Sequence, residues 1–156
     1  MNIQIVSLPP SPVIMNPHRG AYNQIGPKFE QLWGWVGPNN VPAQKTLGIY
    51  WDNPEFTPEA ELRSAACVQV PLGYEPPAGF AGQGFQLGNL AAGDYAMTTV
   101  TGPYEELEAA WGQFMQMIEG QLGREISDNP AFEVYVNDPS DTAPADLITE
   151  FYMPLK

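Results

Sequence analysis

Two segments of the chain carry the apolar spacing of an amphipathic helix. In residues 20–36, apolar side chains recur at i, i+4, i+7, i+8 and i+11, and residues 102–118 repeat this rhythm in the same phase. Apolar residues at such intervals lie on one face of a helix. The pattern therefore predicts two helices with apolar stripes, formed by Ile25, Phe29, Leu32, Trp33 and Val36 in the first and by Leu107, Trp111, Phe114, Met115 and Ile118 in the second.

The two predicted helices belong to a longer internal repeat. The matched segments are 13–20 with 95–102 and 20–36 with 102–118 at an offset of 82, and 49–57 with 134–142 at an offset of 85. Each repeat shows the order strand, helix, strand, turn, strand. We therefore predict one α+β domain over residues 1–156, made of duplicated βαββ units that span residues 1–73 and 74–156.

The repeat also predicts how the sheets are covered. A single helix cannot cover both faces of a small sheet. We therefore expect the two units to pair with pseudo-twofold symmetry, so that two antiparallel sheets flank a central groove and the helices lie outside.

Alternation along the strands assigns side chains to faces. The faces expected to pack on the helices carry Leu47, Ile49, Trp51, Ala66, Val68 and Val70 in the first repeat, and Phe132, Val134, Val136, Phe151 and Met153 in the second. The faces expected to line the groove carry Gly48, Tyr50, Ala65 and Cys67 in the first repeat, and Glu133, Tyr135, Glu150 and Tyr152 in the second.

Matched positions on the predicted groove faces differ in size and charge. Gly48 matches Glu133, Ala65 matches Glu150, and Cys67 matches Tyr152. One repeat thus leaves space while the other supplies carboxylates and a phenol ring, as a pocket for a cation with apolar bulk requires. The alternative interpretation is that Glu133 and Glu150 lie on a solvated sheet face, where polar residues alternate outward anyway.

Three tryptophans receive different predictions from the same alternation. Trp33 and Trp51 fall on faces expected to be core. Trp35 lies off the stripe of the first helix. We expect it to be exposed, at the groove rim or on a partner surface.

Composition excludes several classes of function. The 18 acidic and 6 basic residues give a net charge of -12, which argues against binding to nucleic acid or to an anionic membrane. With one Cys and one His, no internal disulfide can form and a metal site would consist almost entirely of carboxylates, so we expect neither metal nor cofactor. The sequence shows neither a signal peptide nor a membrane span, and we expect a cytoplasmic protein.

Four segments carry a family resemblance, namely FEQLWGWV, IYWDNPEFTPEAELR, PAFEVYVNDP and the closing TEFYMPL. Together they resemble the bacterial DNA gyrase inhibitory protein family (GyrI, also called SbmC) and the wider GyrI-like small-molecule-binding domain. That domain also serves as the effector-binding domain of AraC- and MerR-type multidrug regulators. The resemblance extends from Ile3 to Leu155 and implies a groove glutamate at Glu133 that pairs with cationic ligands.

Three hypotheses for function follow. The first is a stand-alone protein that binds a cationic or amphipathic aromatic drug or toxin, with Glu133 as the counter-charge and Glu150 as the rival carboxylate. The second is inhibition of DNA gyrase by protein contact, linked by the resemblance to toxin resistance. The third, also implied by the resemblance, is hydrolysis of reactive cyclopropane-type genotoxins, again through Glu133. Whether the protein is an enzyme therefore stays open. Its oligomeric state stays open as well. The candidate ligand-binding residues are Glu133, Tyr135, Tyr152, Glu150, Tyr50, Gly48, Cys67 and Trp35.

Overall fold

The computed structural model describes all 156 residues, Met1 to Lys156. It contains eight antiparallel strands and two α-helices, which confirms the predicted α+β class. The strands are β1 (Gln4–Leu8), β2 (Ser11–Arg19), β3 (Lys45–Tyr50), β4 (Arg63–Gln69), β5 (Gln86–Leu90), β6 (Gly93–Thr101), β7 (Ala131–Tyr135) and β8 (Ile148–Pro154), and the helices are α1 (Gly26–Val36) and α2 (Leu107–Gln121). Neither helix is long and apolar enough to cross a membrane.

Residues Pro10–Ala91 form one compact unit, called the first unit below. Its strands lie in the order β3-β4-β2-β5, and α1 packs against β2 and β4. The helix buries Leu32 and Val36, which are four residues apart and therefore share one face. The core of this unit consists of Ile14, Leu32, Val36, Val41, Val68, Val70 and Phe85.

Residues Met1–Pro9 and Ala92–Lys156 form the second unit. Its strands lie in the order β1-β6-β8-β7, and α2 packs against β6. The helix buries Leu107, Phe114 and Ile118, all of which belong to the stripe that the sequence predicts. The core of this unit consists of Ala96, Leu107, Phe114, Ile118, Phe151 and Leu155.

Equivalent elements of the two units recur at constant spacing. Strands β1 and β2 match β5 and β6 in both bounds at the offset of 82, and β4 matches β8 at the offset of 85. The pairing register recurs as well, because Met15 pairs with Gln86 in the first unit and Met97 with Gln4 in the second. Strand β1 therefore belongs to the second unit and β5 to the first, so the bounds of the compact units differ from the contiguous repeats 1–73 and 74–156.

The predicted burial of Trp33 and Trp51 is wrong, and Trp35 is partly buried. Trp33 is 44% exposed and Trp51 is 37% exposed, although alternation places both on core faces. Trp35, expected at the surface, packs with its ring centroid 5.7 Å from that of Phe80 and 5.3 Å from that of Phe85. Because both phenylalanines follow β4 in the chain, the spacing within α1 alone cannot reveal this contact.

Candidate functional site

The second unit contains one buried charged side chain. Glu133, in the middle of β7, is 5% exposed, and the other buried polar residues of the molecule are neutral. Its strand neighbours Phe132 and Val134 are buried as well, so β7 has no solvated face at this point. A carboxylate in such surroundings is costly unless hydrogen bonds and opposite charge stabilise it.

Two aromatic side chains donate hydrogen bonds to this carboxylate. Trp111 donates its indole Nε1–H to Oε1 over 2.5 Å, and the hydroxyl of Tyr135 donates to Oε2 over 2.7 Å. Both oxygens of Glu133 are thereby held in position. Both donors are neutral, so they orient the carboxylate without cancelling its charge.

Stacked and tilted rings hold the two donors in place. The Trp111 ring lies 4.3 Å from the Phe151 ring with only 10° between their planes. The Tyr135 ring meets that of Tyr104 edge-on at 5.5 Å. Trp111, Tyr104 and Tyr135 are each half-buried, so part of each ring remains accessible beside the buried Glu133.

The chain turn before α2 places Tyr104 and Trp111. Gly102 has φ of +144°, a conformation that favours glycine, and a Cβ there would meet the carboxylate of Glu106 at 3.0 Å. The chain then forms a short 3-10 turn, Tyr104–Glu106, and enters α2. Burial raises the pKa of Tyr104, and the negative charges of Asp138 and Glu133 raise that pKa further. The phenol therefore stays protonated beside the carboxylates.

The other predicted pair of the second unit, Glu150 and Tyr152, forms a separate arrangement. The hydroxyl of Tyr152 donates to Oε1 of Glu150 over 3.0 Å, and its ring stacks on Phe132 at 4.6 Å. Burial raises the pKa of Tyr152, and the charge of Glu150 and this hydrogen bond raise it further. Glu150 is half-buried, in contrast to Glu133.

The structure corrects the predicted faces of β7. Glu133 pairs directly with Phe151, which packs in the α2 core, so Glu133 and Tyr135 lie on the α2 side of the sheet. Phe132 pairs with Tyr152 and therefore lies on the opposite side, as does Val134. The prediction failed because both faces of β7 are buried, so that the apolar residues do not mark one inner face. Glu133 and Glu150 consequently lie on opposite faces.

The predicted site residues of the first unit also lie on two opposite faces of their sheet. Gly48 of β3 pairs with Ala66 and Tyr50 pairs with Ser64, and these residues lie on the face that α1 covers. Leu47 pairs with Cys67 and Ile49 pairs with Ala65, and these residues lie on the other face. The assignment of Leu47 and Ile49 to the helix side is thus wrong. Cys67 is fully buried, and this burial raises the pKa of its thiol, which makes it a poor nucleophile.

The first unit provides an internal comparison for the buried glutamate. The pair Gly48–Ala66 corresponds to Glu133–Phe151 at the offset of 85. At the offset of 82, the helix position that matches Trp111 is Phe29, which has no hydrogen-bond donor in its side chain. The indole donor and the carboxylate thus occur together in one unit and are both absent from the other.

Other parts of the site are shared by both units. Tyr22 and Tyr50 lie edge-on at 4.8 Å, as Tyr104 and Tyr135 do in the second unit. The buried hydroxyls of Ser64 and Thr149, at matched positions, both have no hydrogen-bond partner. The tyrosine pair and the hydroxyl therefore belong to the common framework, whereas Trp111 and Glu133 are additions to it.

The sequence pattern does not predict Trp111 and Tyr104 as members of the site. The spacing of Trp111 assigns it to the helix core and says nothing of what its N–H donates to. A usable signal is present in the repeat, because Phe29 and Gly48 change to Trp111 and Glu133 together. The structure contains no group of three His, Cys, Asp or Glu side chains that could hold a metal ion.

Comparison with known proteins identifies a family over the whole chain. The model of the GyrI-like small molecule binding domain matches residues 1–156. A DNA gyrase inhibitor from Klebsiella pneumoniae is 33% identical over 127 residues, which cover 81% of this chain and 78% of the relative. A DNA gyrase inhibitor from Yersinia enterocolitica is 30% identical over 139 residues, which cover 88% of each.

Solved structures with low sequence identity share the fold. The C-terminal domain of EcmrR has a TM-score of 0.76 at 17% identity, covering 99% of this chain and 97% of that domain. SAV2435, solved with bound tetraphenylphosphonium, has a TM-score of 0.69 at 17% identity, covering 100% and 94%. A hydrolase from Listeria innocua has a TM-score of 0.69 at 12% identity, covering 99% and 91%.

Proposed function

Because the chain belongs to the GyrI-like small molecule binding domain family, we propose that it binds a cationic small molecule with aromatic or apolar bulk. Glu133 supplies the counter-charge, and the rings of Trp111, Tyr104 and Tyr135 supply contact surface. The observation that carries this proposal is the buried Glu133 carboxylate, held by two neutral donors at a position where the first unit has Gly48.

Burial makes the charge of Glu133 energetically costly. Removing a carboxylate from water costs several kcal/mol even after relaxation, and hydrogen bonds from neutral groups offset only part of it. The first unit forms the same strand pairing with Gly48, so this pairing does not require the charge. A ligand cation near Glu133 would gain a strong interaction, because a poorly hydrated carboxylate attracts charge more strongly than one in water.

The surrounding rings favour a cation that also carries apolar groups. A cation over an aromatic face gains about 0.5–2 kcal/mol, with Trp the strongest partner. Trp111 and Tyr135 contact Glu133 directly, so one ligand can meet ring and carboxylate together. Tetraphenylphosphonium, the ligand in the SAV2435 structure, has this chemistry and is therefore a suitable probe.

The proposed site is narrower than the set of residues that the sequence predicts. Glu150 and Tyr152 are hydrogen-bonded to each other on the opposite face, and Trp35 packs against Phe80 and Phe85. Cys67 is fully buried on the face away from α1. We therefore propose Glu133, and not Glu150, as the main counter-charge.

The test is a calorimetric titration of tetraphenylphosphonium into wild type, Glu133→Gln and Glu150→Gln. Since removing one partner of a buried ion pair typically costs about 3–5 kcal/mol, Glu133→Gln is expected to weaken binding by at least about tenfold. Glu150→Gln is the matched control and is expected to stay within about twofold of wild type. Equal affinities of wild type and Glu133→Gln would refute the assignment.

We also propose inhibition of DNA gyrase as a second function, because two relatives at 30% and 33% identity are named DNA gyrase inhibitors. The net charge of -12 favours approach to a basic surface such as that of a DNA-binding enzyme. This role implies a cytoplasmic location. Supercoiling by purified gyrase is expected to fall as the protein is added at low salt, and full supercoiling at a several-fold molar excess would contradict it.

Binding and hydrolysis are separated by turnover, because both use the Glu133 carboxylate. Each carboxylate oxygen has two lone pairs, so the hydrogen bonds from Trp111 and Tyr135 leave Glu133 able to meet either a ligand cation or a water molecule. Binding without chemistry predicts that mass spectrometry detects no more turnover of a cyclopropane-bearing electrophile by wild type than by Glu133→Gln. Turnover by wild type that Glu133→Gln loses would show hydrolysis instead.

A further inference from the structure

The loop between β3 and β4, residues 51–62, presents two large aromatic side chains to solvent. Phe56 is 83% exposed, more than any other large hydrophobic residue of the molecule, and Trp51 is 37% exposed. An exposed Phe forgoes roughly 1.5–3 kcal/mol of burial that a protein partner could recover. Aromatic side chains are enriched at protein–protein interfaces relative to the rest of the surface.

Hydrogen bonds hold this loop in a fixed conformation. The carboxylate of Asp52 accepts from the backbone N–H of Arg63 at 2.8 Å and from its guanidinium at 2.9 and 3.0 Å. Tyr22 donates its hydroxyl to the carbonyl of Asp52 at 2.7 Å. The backbone N–H of Glu55 donates to the side chain of Asn53 at 2.9 Å. A partner would therefore meet an ordered loop, which reduces the entropy lost on binding.

The corresponding loop of the second unit shows that the turn does not need these aromatic residues. There the backbone N–H of Ser140 donates to Asp138 at 2.8 Å, as Glu55 donates to Asn53 in the first unit. At the offset of 85, Phe56 corresponds to Asp141 and Trp51 to Val136. The same turn thus forms in the second unit with an acidic residue at the position of Phe56. Formation of the turn therefore does not require the aromatic side chain of Phe56.

The charges around Phe56 indicate the chemistry of a partner. Glu55, Glu59 and Glu61 are exposed, and none of the ion pairs of the structure includes them. These carboxylates would repel nucleic acid and anionic lipid and would attract a basic protein surface. A Phe between carboxylates therefore matches an apolar pocket rimmed by Lys and Arg.

We propose that the loop 51–62 docks on a basic surface of DNA gyrase, with the Phe56 ring inserted into an apolar pocket. The inference rests on the gyrase inhibition proposed above and names the surface that performs it. Phe56 and Trp51 supply the apolar contact, and Glu55, Glu59 and Glu61 steer the approach. This surface belongs to the first unit, whereas the Glu133 site lies in the second.

The experiment measures binding of the full chain to immobilised purified gyrase, in wild type and in two variants. Phe56→Asp copies the residue of the matched loop, so the turn is expected to fold, and circular dichroism checks this. Leu72→Asp is the matched control, because Leu72 is 79% exposed on another turn and the substitution makes the same change of charge. We expect Phe56→Asp to weaken binding by about tenfold or more and Leu72→Asp by less than about twofold.

Each outcome decides a different part of the proposal. Selective loss in Phe56→Asp supports the loop as the docking surface. Equal binding of wild type and Phe56→Asp, or equal loss in both variants, overturns the role of the loop while gyrase binding stands. No binding of wild type overturns both the loop and the gyrase function.

Discussion

Among single residues, the contrast between Glu133 and Gly48 bears most directly on the proposed ligand site. Gly48 lies on β3 and Glu133 on β7, the matched strands of the two units, and each position faces the helix of its own unit. Of the two residues, only Glu133 carries a charge, and the helix residue Trp111 donates a hydrogen bond to it. The same strand pairing thus forms with either residue, so the pairing itself does not require the carboxylate.

The hydrogen bond from Trp111 to Glu133 can be tested by stability. Trp111→Phe keeps an aromatic ring on Phe151 but leaves Oε1 of a buried carboxylate without this donor. Loss of one partner of a buried polar group costs about 1–3 kcal/mol, so the free energy of unfolding in urea should fall by that amount. The control Trp33→Phe, at an exposed position, is expected to change it by less than about 0.5 kcal/mol. Equal costs for the two variants would show that the hydrogen bond contributes nothing.

The sequence predicts Glu133 and Tyr135 as neighbours but not the residue that completes the site. The helical spacing places Trp111 on the stripe of α2, where it lies beside buried Phe114. The same spacing cannot show that the edge of its ring reaches a strand 22 residues later. Such a contact depends on how helix and strand pack, which apolar periodicity does not encode.

For helices and strands, the order along the chain is easier to predict than which face of each strand meets the helix. The apolar stripe of α2 and the strand, helix, strand, turn, strand order are present in the structure. The side chains of β3 and β7 are predicted on the wrong faces of these strands, because both faces are buried. Only the pairing of Leu47 with Cys67 and of Glu133 with Phe151 fixes that phase. The pairing of β1 with β6 is likewise a long-range choice that local pattern does not reveal.

The loop between β3 and β4 gives a pH prediction. Hydrogen bonds from Arg63 hold the pKa of Asp52 below its ordinary value, and the charge of Arg63 adds to this effect. A carboxyl group whose pKa falls on folding stabilises the protein above its unfolded pKa, and this stabilisation is lost as pH falls through the folded value. The contribution of Asp52 should therefore be present at pH 7 and decline below about pH 4.

The matched variant for this prediction is Asp52→Asn, because Asn137 occupies the corresponding position and accepts from the backbone N–H of Ile148 at 2.8 Å. It keeps the backbone hydrogen bond and loses the charge. Urea unfolding should show Asp52→Asn modestly less stable than wild type at pH 7, since the pair is solvent-exposed, with a smaller difference at pH 3. A difference of the same size at both pH values would show that the charge of Asp52 does not contribute to stability.

For the protein as a whole, the excess of acidic residues gives the proposed gyrase binding a salt dependence by which it can be tested. The net charge of -12 acts over distances set by ionic strength, with a screening length of about 10 Å at 0.1 M salt. Steered association with a basic protein therefore slows as salt rises. Surface plasmon resonance with gyrase should show an association rate that falls several-fold between roughly 50 and 300 mM salt, as expected for charge steering. A rate independent of salt would exclude steering by this charge.

The proposed small-molecule site depends on one buried charge, so its sharpest test varies the charge of the ligand and the charge of the protein together. Tetraphenylphosphonium and its neutral relative triphenylphosphine oxide are titrated into wild type and Glu133→Gln by calorimetry. We expect Glu133→Gln to lose at least about tenfold affinity for the cation and less than about twofold for the neutral compound. Equal losses for both compounds, or no loss for either, would show that the Glu133 carboxylate does not select a cation.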